Sequence, residues 1–107
     1  MTDLEINKAL ALAIGWHKNK VHVKTYSGLK RIEIDRDYSW GTQRFPFHYK
    51  NWNVIGPIAE RFDCFPNKAQ STKHIGEWYA PVGEIANGVY ANTPQKAIAL
   101  AVIGSVK

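Results

Sequence analysis

Val21-His22-Val23-Lys24-Thr25-Tyr26-Ser27-Gly28-Leu29-Lys30-Arg31-Ile32-Glu33-Ile34-Asp35 is the stretch whose reading decides the fold. From Val21 to Tyr26 the side chains alternate, with Val21, Val23 and Thr25 on one side and His22, Lys24 and Tyr26 on the other. That period of two marks a half-buried strand. Ser27-Gly28 supplies a turn, and Arg31 to Asp35 alternates again, so the segment predicts an antiparallel hairpin with one wet face.

Upstream, Thr2 or Asp3 can cap a first helix whose apolar face carries Ile6, Leu10, Ala13 and Ile14, with Gly15 as its stop. Downstream, Arg36 to Asn51 reads as a long loop rich in aromatic residues, and loops of that length in compact domains tend to be functional. A second helix then turns Ile55, Ile58, Ala59 and Phe62 toward the core. Its Pro57 favours a start after an Asn53 cap, near the first turn, because a start at Trp52 would require a kink. Asp63 to Glu77 is polar and unpatterned and reads as a loop with positive charge from Lys68 and Lys73. Trp78, Ala80 and Val82 alternate with Glu77, Tyr79 and Pro81, a strand that Pro81 would confine to an edge. Asn87-Gly88 signals a tight turn before Val89-Tyr90-Ala91. Thr93 and Pro94 open a third helix that buries Ala97, Ile98, Ala101 and Val102. The expected fold is a single α+β domain over residues 1–107: a small antiparallel sheet of two hairpins packed against about three helices.

A chain of 107 residues has room for one core. Its longest apolar run, Ala97 to Ile103, is far below the roughly 20 residues needed to span a bilayer. The acidic start Met1-Thr2-Asp3-Leu4-Glu5 lacks the pattern of a secretory signal, and one cysteine, Cys64, forms no internal disulfide, so a cytoplasmic setting without membrane association is expected. Cys64 reads as a small buried hydrophobe, because no nucleophile signature surrounds it.

The net charge of +5 is unevenly placed. Lys18, Lys20, Lys24, Lys30 and Arg31 lie between Trp16 and Arg31 without an acid, and account for the whole excess. Two readings follow: a weak nucleic-acid-binding surface, or an edge strand that uses lysine to prevent sheet-to-sheet association. His17, His22, His48 and His74 do not combine with cysteine or carboxylate at metal-ligand spacing, so no metal is expected, and no glycine-rich phosphate loop or other cofactor motif is present. Asp35 and Asp37, two residues apart, read as solvated acids of a polar turn.

Within the aromatic stretch, Trp40, Thr42, Gln43, Arg44, Lys50 and Trp52 bring together rings, cations and short polar side chains. A nucleotide asks for such groups: Trp40 and Trp52 to stack, Arg44 and Lys50 to face phosphate, Thr42 and Gln43 to read a base edge. Trp78 and Tyr79 would add a second wall. The competing reading is that these rings fill the core of a small domain.

Three segments, Asn7 to Trp16, Lys50 to Arg61 and Thr93 to Val102, together with Trp78-Tyr79-Ala80, give the chain a resemblance to small phage and prophage proteins of the NinX-like group. The resemblance implies a phage accessory protein working in the host cytoplasm; its motifs are packing signatures and bring no functional residues with them. Without catalytic signatures, the expected activity is binding and not catalysis: sequestration of a nucleotide-derived signal to counter host defence, aided by assembly into a homo-oligomer. A protein-binding inhibitor of a host defence or nuclease complex is the alternative, with the exposed rings as anchors.

Overall fold

A computed structural model of the chain describes residues 1–68, 77–82 and 85–105. The chain divides into two compact units, Met1–His48 and Tyr49–Lys107. The described elements are three helices and two small antiparallel sheets of three strands each, an α+β fold.

In the first unit, helix α1 (Asp3–Ala13) begins at a reciprocal cap. The Thr2 side-chain oxygen accepts from the Glu5 amide, while the Glu5 carboxylate accepts from the Thr2 amide, satisfying two donors that a helix start leaves open. Ile6, Leu10 and Ala11 are buried, and Gly15 leaves the helix at a left-handed φ of 110°.

Strands β1 (Val21–Tyr26), β2 (Leu29–Tyr38) and β3 (Gly41–Phe47) follow as a meander in the order β1-β2-β3. The expected hairpin is therefore present but extended, since the stretch expected as a loop from Arg36 onward continues β2 and forms β3. The β1–β2 turn is Ser27-Gly28, both at positive φ (50° and 82°), which suits the right-handed twist of the strands it joins. Register fixes the faces. Val21 pairs with Ile34, Val23 with Ile32, Ile34 with Phe45 and Ile32 with Phe47, so these share the side of the sheet on which α1 packs. Trp16 meets Phe45 edge-on at 6.1 Å.

In the second unit, helix α2 (Trp52–Phe62) buries Ile55, Ile58 and Ala59. Its cap is Asn51, whose side chain accepts from the Asn53 amide at 2.9 Å, so the helix starts one residue after Asn51 and the expected Asn53 cap is corrected. Pro57 consequently sits inside the helix, where it deprives the Asn53 carbonyl of its partner four residues on. The capping bond and the buried stripe outweigh that loss. Strands β4 (Asn67–Lys68), β5 (Trp78–Val82) and β6 (Ile85–Ala91) form the second sheet with β5 in the middle. Pro81 is thus not on an edge strand. It is tolerated because the β5–β6 register shifts between Ala80 and Val82, and because β4 pairs only with Trp78 and Tyr79.

Asn87-Gly88 lies within β6 and is no turn. Gly88 is required for space: a β-carbon there would collide with the Ala80 carbonyl oxygen and the Tyr79 ring. Helix α3 (Pro94–Ser105) is capped by Thr93, which accepts from the Lys96 amide, and packs on β5, β6 and α2 through a face that includes Ala97, Ile98, Ala101 and Val102. Cys64 is buried, and burial, then the Asp63 charge, pushes its thiol up to about 11. Residues 69–76, which include Lys73 and His74 of the expected loop, lie outside the described residues. No described helix is long and apolar enough to cross a membrane.

Candidate functional site

The first sheet separates its side chains by chemistry. On the side away from α1, the alternate residues Glu33, Asp35 and Asp37 line up along the central strand, and each meets a cation. Glu33 accepts from the Tyr26 hydroxyl at 2.9 Å and from Arg31 Nε at 2.7 Å. Asp35 takes both Nε and Nη2 of Arg44, at 2.6 and 3.2 Å, and lies 2.7 Å from His22 Nε2. Asp37 meets Lys20 Nζ at 2.9 Å and the Thr42 hydroxyl at 2.7 Å. The bidentate fork of Arg44 is the geometry in which a guanidinium holds a carboxylate best.

Electrostatics follow from those partners. Arg44 holds the Asp35 carboxyl down at about 2, below its ordinary 3.8, with burial opposing and His22 assisting. Burial raises Glu33, but Tyr26 and Arg31 outweigh it and leave the carboxyl below its usual range. Lys20 and then Thr42 lower Asp37. A carboxyl whose folded pKa is depressed contributes stability above its unfolded pKa and loses it as pH falls toward the folded value. Asp35 therefore stabilises the fold fully above pH 3.8, and that contribution disappears as the pH approaches about 2. In Asp35→Asn, urea midpoints measured stepwise through this window are expected to fall less steeply than in the parent; equal slopes would remove Asp35 from the acid response.

These contacts revise the expected ligand set. Arg44 and Thr42 are hydrogen-bonded across the ladder to Asp35 and Asp37. Arg31 and Lys20 of the expected basic surface are likewise held by Glu33 and Asp37. Lys18, Lys24 and Lys30 have no ion-pair partner among the described residues. Asp35 and Asp37 are strand residues in ion pairs and not acids of a solvated turn.

On the α1 side, the far end of the β2–β3 hairpin carries a different group. Trp40, in the two-residue Ser39-Trp40 turn, is 71% exposed, and its indole stacks on Tyr38 with ring centres 4.9 Å apart and planes 6° from parallel. The Arg36 guanidinium lies 5.6 Å from the same Tyr38 ring. Gln43 is directly opposite Arg36 across the ladder and is exposed. Gly41, at φ 143°, brings the chain back into β3 after the turn. Arg36 and Tyr38 were absent from the expected set. The signal that places them is the two-residue spacing from Ile32 and Ile34, which carries the α1 side of β2 out to its end.

The remaining candidates belong to the second unit. Trp52 opens α2 and is 50% exposed, Lys50 is exposed just before it, and the Lys50 carbonyl accepts from Gln95 Nε2 at 3.4 Å. Trp78 is half-buried with Lys68 Nζ 5.1 Å from its ring, and Tyr79 packs on Tyr90 at 5.0 Å. Trp78 and Tyr79 are neighbours on β5 and point to opposite faces of their sheet. Within neither unit do the described residues form a pocket. No protein family, curated protein or solved structure matches this chain.

Proposed function

We propose that this chain is a non-catalytic binding protein that recognises a nucleotide moiety with the tip of the β2–β3 hairpin. Trp40 continues its stack with Tyr38 onto the base, Arg36 takes the place first given to Arg44 as the cation for phosphate, and Gln43 offers both donor and acceptor to a base edge. The observation that carries this reading is Trp40 itself. A large apolar ring left 71% exposed and held flat against a second ring contributes little to the core, yet presents a ready face for stacking. The resemblance to phage accessory proteins supplies the setting, the host cytoplasm, in which capture of a nucleotide-bearing ligand would counter a defence response.

Calorimetric titration with a panel of nucleotides, cyclic dinucleotides and ADP-ribose derivatives tests the reading, with Trp40→Ala alongside. Losing one base–aromatic stack removes about 1–3 kcal/mol, a roughly 5- to 150-fold weaker Kd for any member that binds. Because Trp40 is on the surface, the variant is expected to keep its circular dichroism spectrum. Capture from host lysate of a stoichiometric protein partner that depends on Trp40 would instead favour the inhibitor of a host complex, since Trp, Tyr and Arg are also the residues that anchor protein interfaces.

A further inference from the structure

We propose, independently of the hairpin tip, that the outer edge of β1 docks an extended segment of a partner protein as a fourth strand of the first sheet. The segment alternates acidic residues, set beside Lys24, with apolar residues, set beside Val21 and Val23.

The register decides which backbone groups each edge of the sheet offers. Tyr26 and Leu29 flank the two-residue Ser27-Gly28 turn and exchange both of their hydrogen bonds, so Lys24 with Arg31 and His22 with Glu33 do the same. The amides and carbonyls of Val21, Val23 and Thr25 therefore point away from β2. The Val21 amide is taken by the Lys18 carbonyl, whereas no hydrogen bond from another described element reaches the backbone of Val23 or Thr25. The alternate residues of β2 turn to β3, which leaves Thr42, Arg44 and Pro46 outward on the opposite edge. Pro46 has no amide, so that edge is closed to an added strand, one of the ways in which natural sheets guard their margins. β1 carries neither proline nor bulge along its six residues.

Side chains along the open edge define the guest. Val23, on the α1 side, is an aliphatic residue left 45% exposed, which an apolar side chain of a neighbouring strand covers. On the other side β1 presents His22, Lys24 and Tyr26. His22 is held by Asp35 and Tyr26 by Glu33, whereas Lys24 has no ion-pair partner among the described residues and lies opposite Arg31, a like charge. Like charges directly opposite are unfavourable, so a carboxylate on the free side of Lys24 relieves a repulsion the sheet already carries. A second copy does not supply one. β1 has no acid of its own, and antiparallel pairing of two β1 edges with their faces aligned sets Lys24 against His22, Tyr26 or the other Lys24. The lysine that keeps like edges apart thereby selects an acidic guest.

Amide hydrogen exchange followed by NMR on the full chain tests the proposal, with an alternating valine–glutamate peptide as the probe. Two controls accompany it: an alternating valine–lysine peptide, and a peptide of the first composition whose glutamates are contiguous. In the free protein the Val23 and Thr25 amides are expected to exchange rapidly and those of His22 and Lys24 slowly. At about ten times its Kd, the acidic alternating peptide should slow Val23 and Thr25 roughly tenfold. It should bind about 2- to 30-fold more tightly than the valine–lysine peptide, the span of exchanging a favourable cross-strand charge pair for a repulsive one. Lys24→Glu should invert that order. Val23→Pro, tolerated because the amide it removes faces outward, should keep the circular dichroism spectrum and weaken the acidic peptide about 2- to 13-fold, the loss of one hydrogen bond. Trp40→Ala should leave peptide binding unchanged. Absence of binding with folded protein, equal binding by either control peptide, or indifference to Lys24→Glu overturns the proposal. So does protection that arises at Thr42 and Arg44 in place of Val23 and Thr25. Protection of Val23 and Thr25 without peptide, in a species of dimer mass, would assign the edge to a second copy and overturn it as well.

Discussion

Ile34→Ala is expected to destabilise the first unit by about 2–5 kcal/mol, the usual cost of emptying a fully buried aliphatic site. Ile34 has no solvent exposure, sits on the central strand, and lies directly between Val21 and Phe45 on the side that receives α1. Deleting its outer carbons removes transfer energy and leaves a cavity bordered by two strands and a helix, elements that cannot all collapse inward together. Native domains are stable by only about 5–15 kcal/mol, so such a loss takes a large share of the total. Urea unfolding followed by circular dichroism reads it as a lower midpoint at unchanged slope. A shift below about 0.5 kcal/mol, the range of ordinary surface substitutions, would place Ile34 outside the core.

Gly88→Ala is expected to cost about 1–3 kcal/mol, the range for forcing an extra methyl into filled space. The new carbon would overlap the Ala80 carbonyl oxygen and the Tyr79 ring, and a backbone carbonyl in a paired strand has little freedom to retreat. Gly56→Ala and Gly104→Ala are the controls, since both glycines lie in helices where an added carbon meets nothing within 4 Å. There the same change should be neutral or stabilising by up to about 1 kcal/mol, because glycine is the poorer helix former. Opposite signs in one set of denaturation curves would separate crowding from backbone freedom. A gain in stability for Gly88→Ala would refute the close approach to Tyr79.

Much of the architecture was legible from local chemistry. Alternation from Val21 to Asp35, the cap residues Thr2 and Thr93, and the apolar stripes of three helices all correspond to observed elements. β3 escaped notice because its seven residues, Gly-Thr-Gln-Arg-Phe-Pro-Phe, are apolar only at one end. It is a strand because Arg44 and Thr42 find Asp35 and Asp37 across the ladder, and such cross-strand pairing is invisible to any pattern within one segment. The same blindness hid the carboxylate partner of Arg44. A guanidinium among rings looks available for a ligand until the register sets a carboxylate beside it. The period-two spacing of Glu33, Asp35 and Asp37 was present in the sequence and could have suggested a charged strand face. Gly88 misled for a kindred reason, since Asn-Gly resembles a turn until the neighbouring tyrosine is known.

The file of acids on β2 also bears on how the strands keep their alignment. Were β3 to slide by two positions, its side chains would stay on their proper faces, and Arg44 would meet Glu33 or Asp37 in place of Asp35. Evenly repeated charges therefore cannot distinguish the native alignment from its neighbours. That task falls to the two-residue connections at Ser27-Gly28 and Ser39-Trp40, which count the chain off between one strand and the next. Insertions at either bend should scramble the meander more severely than any exchange among its charges.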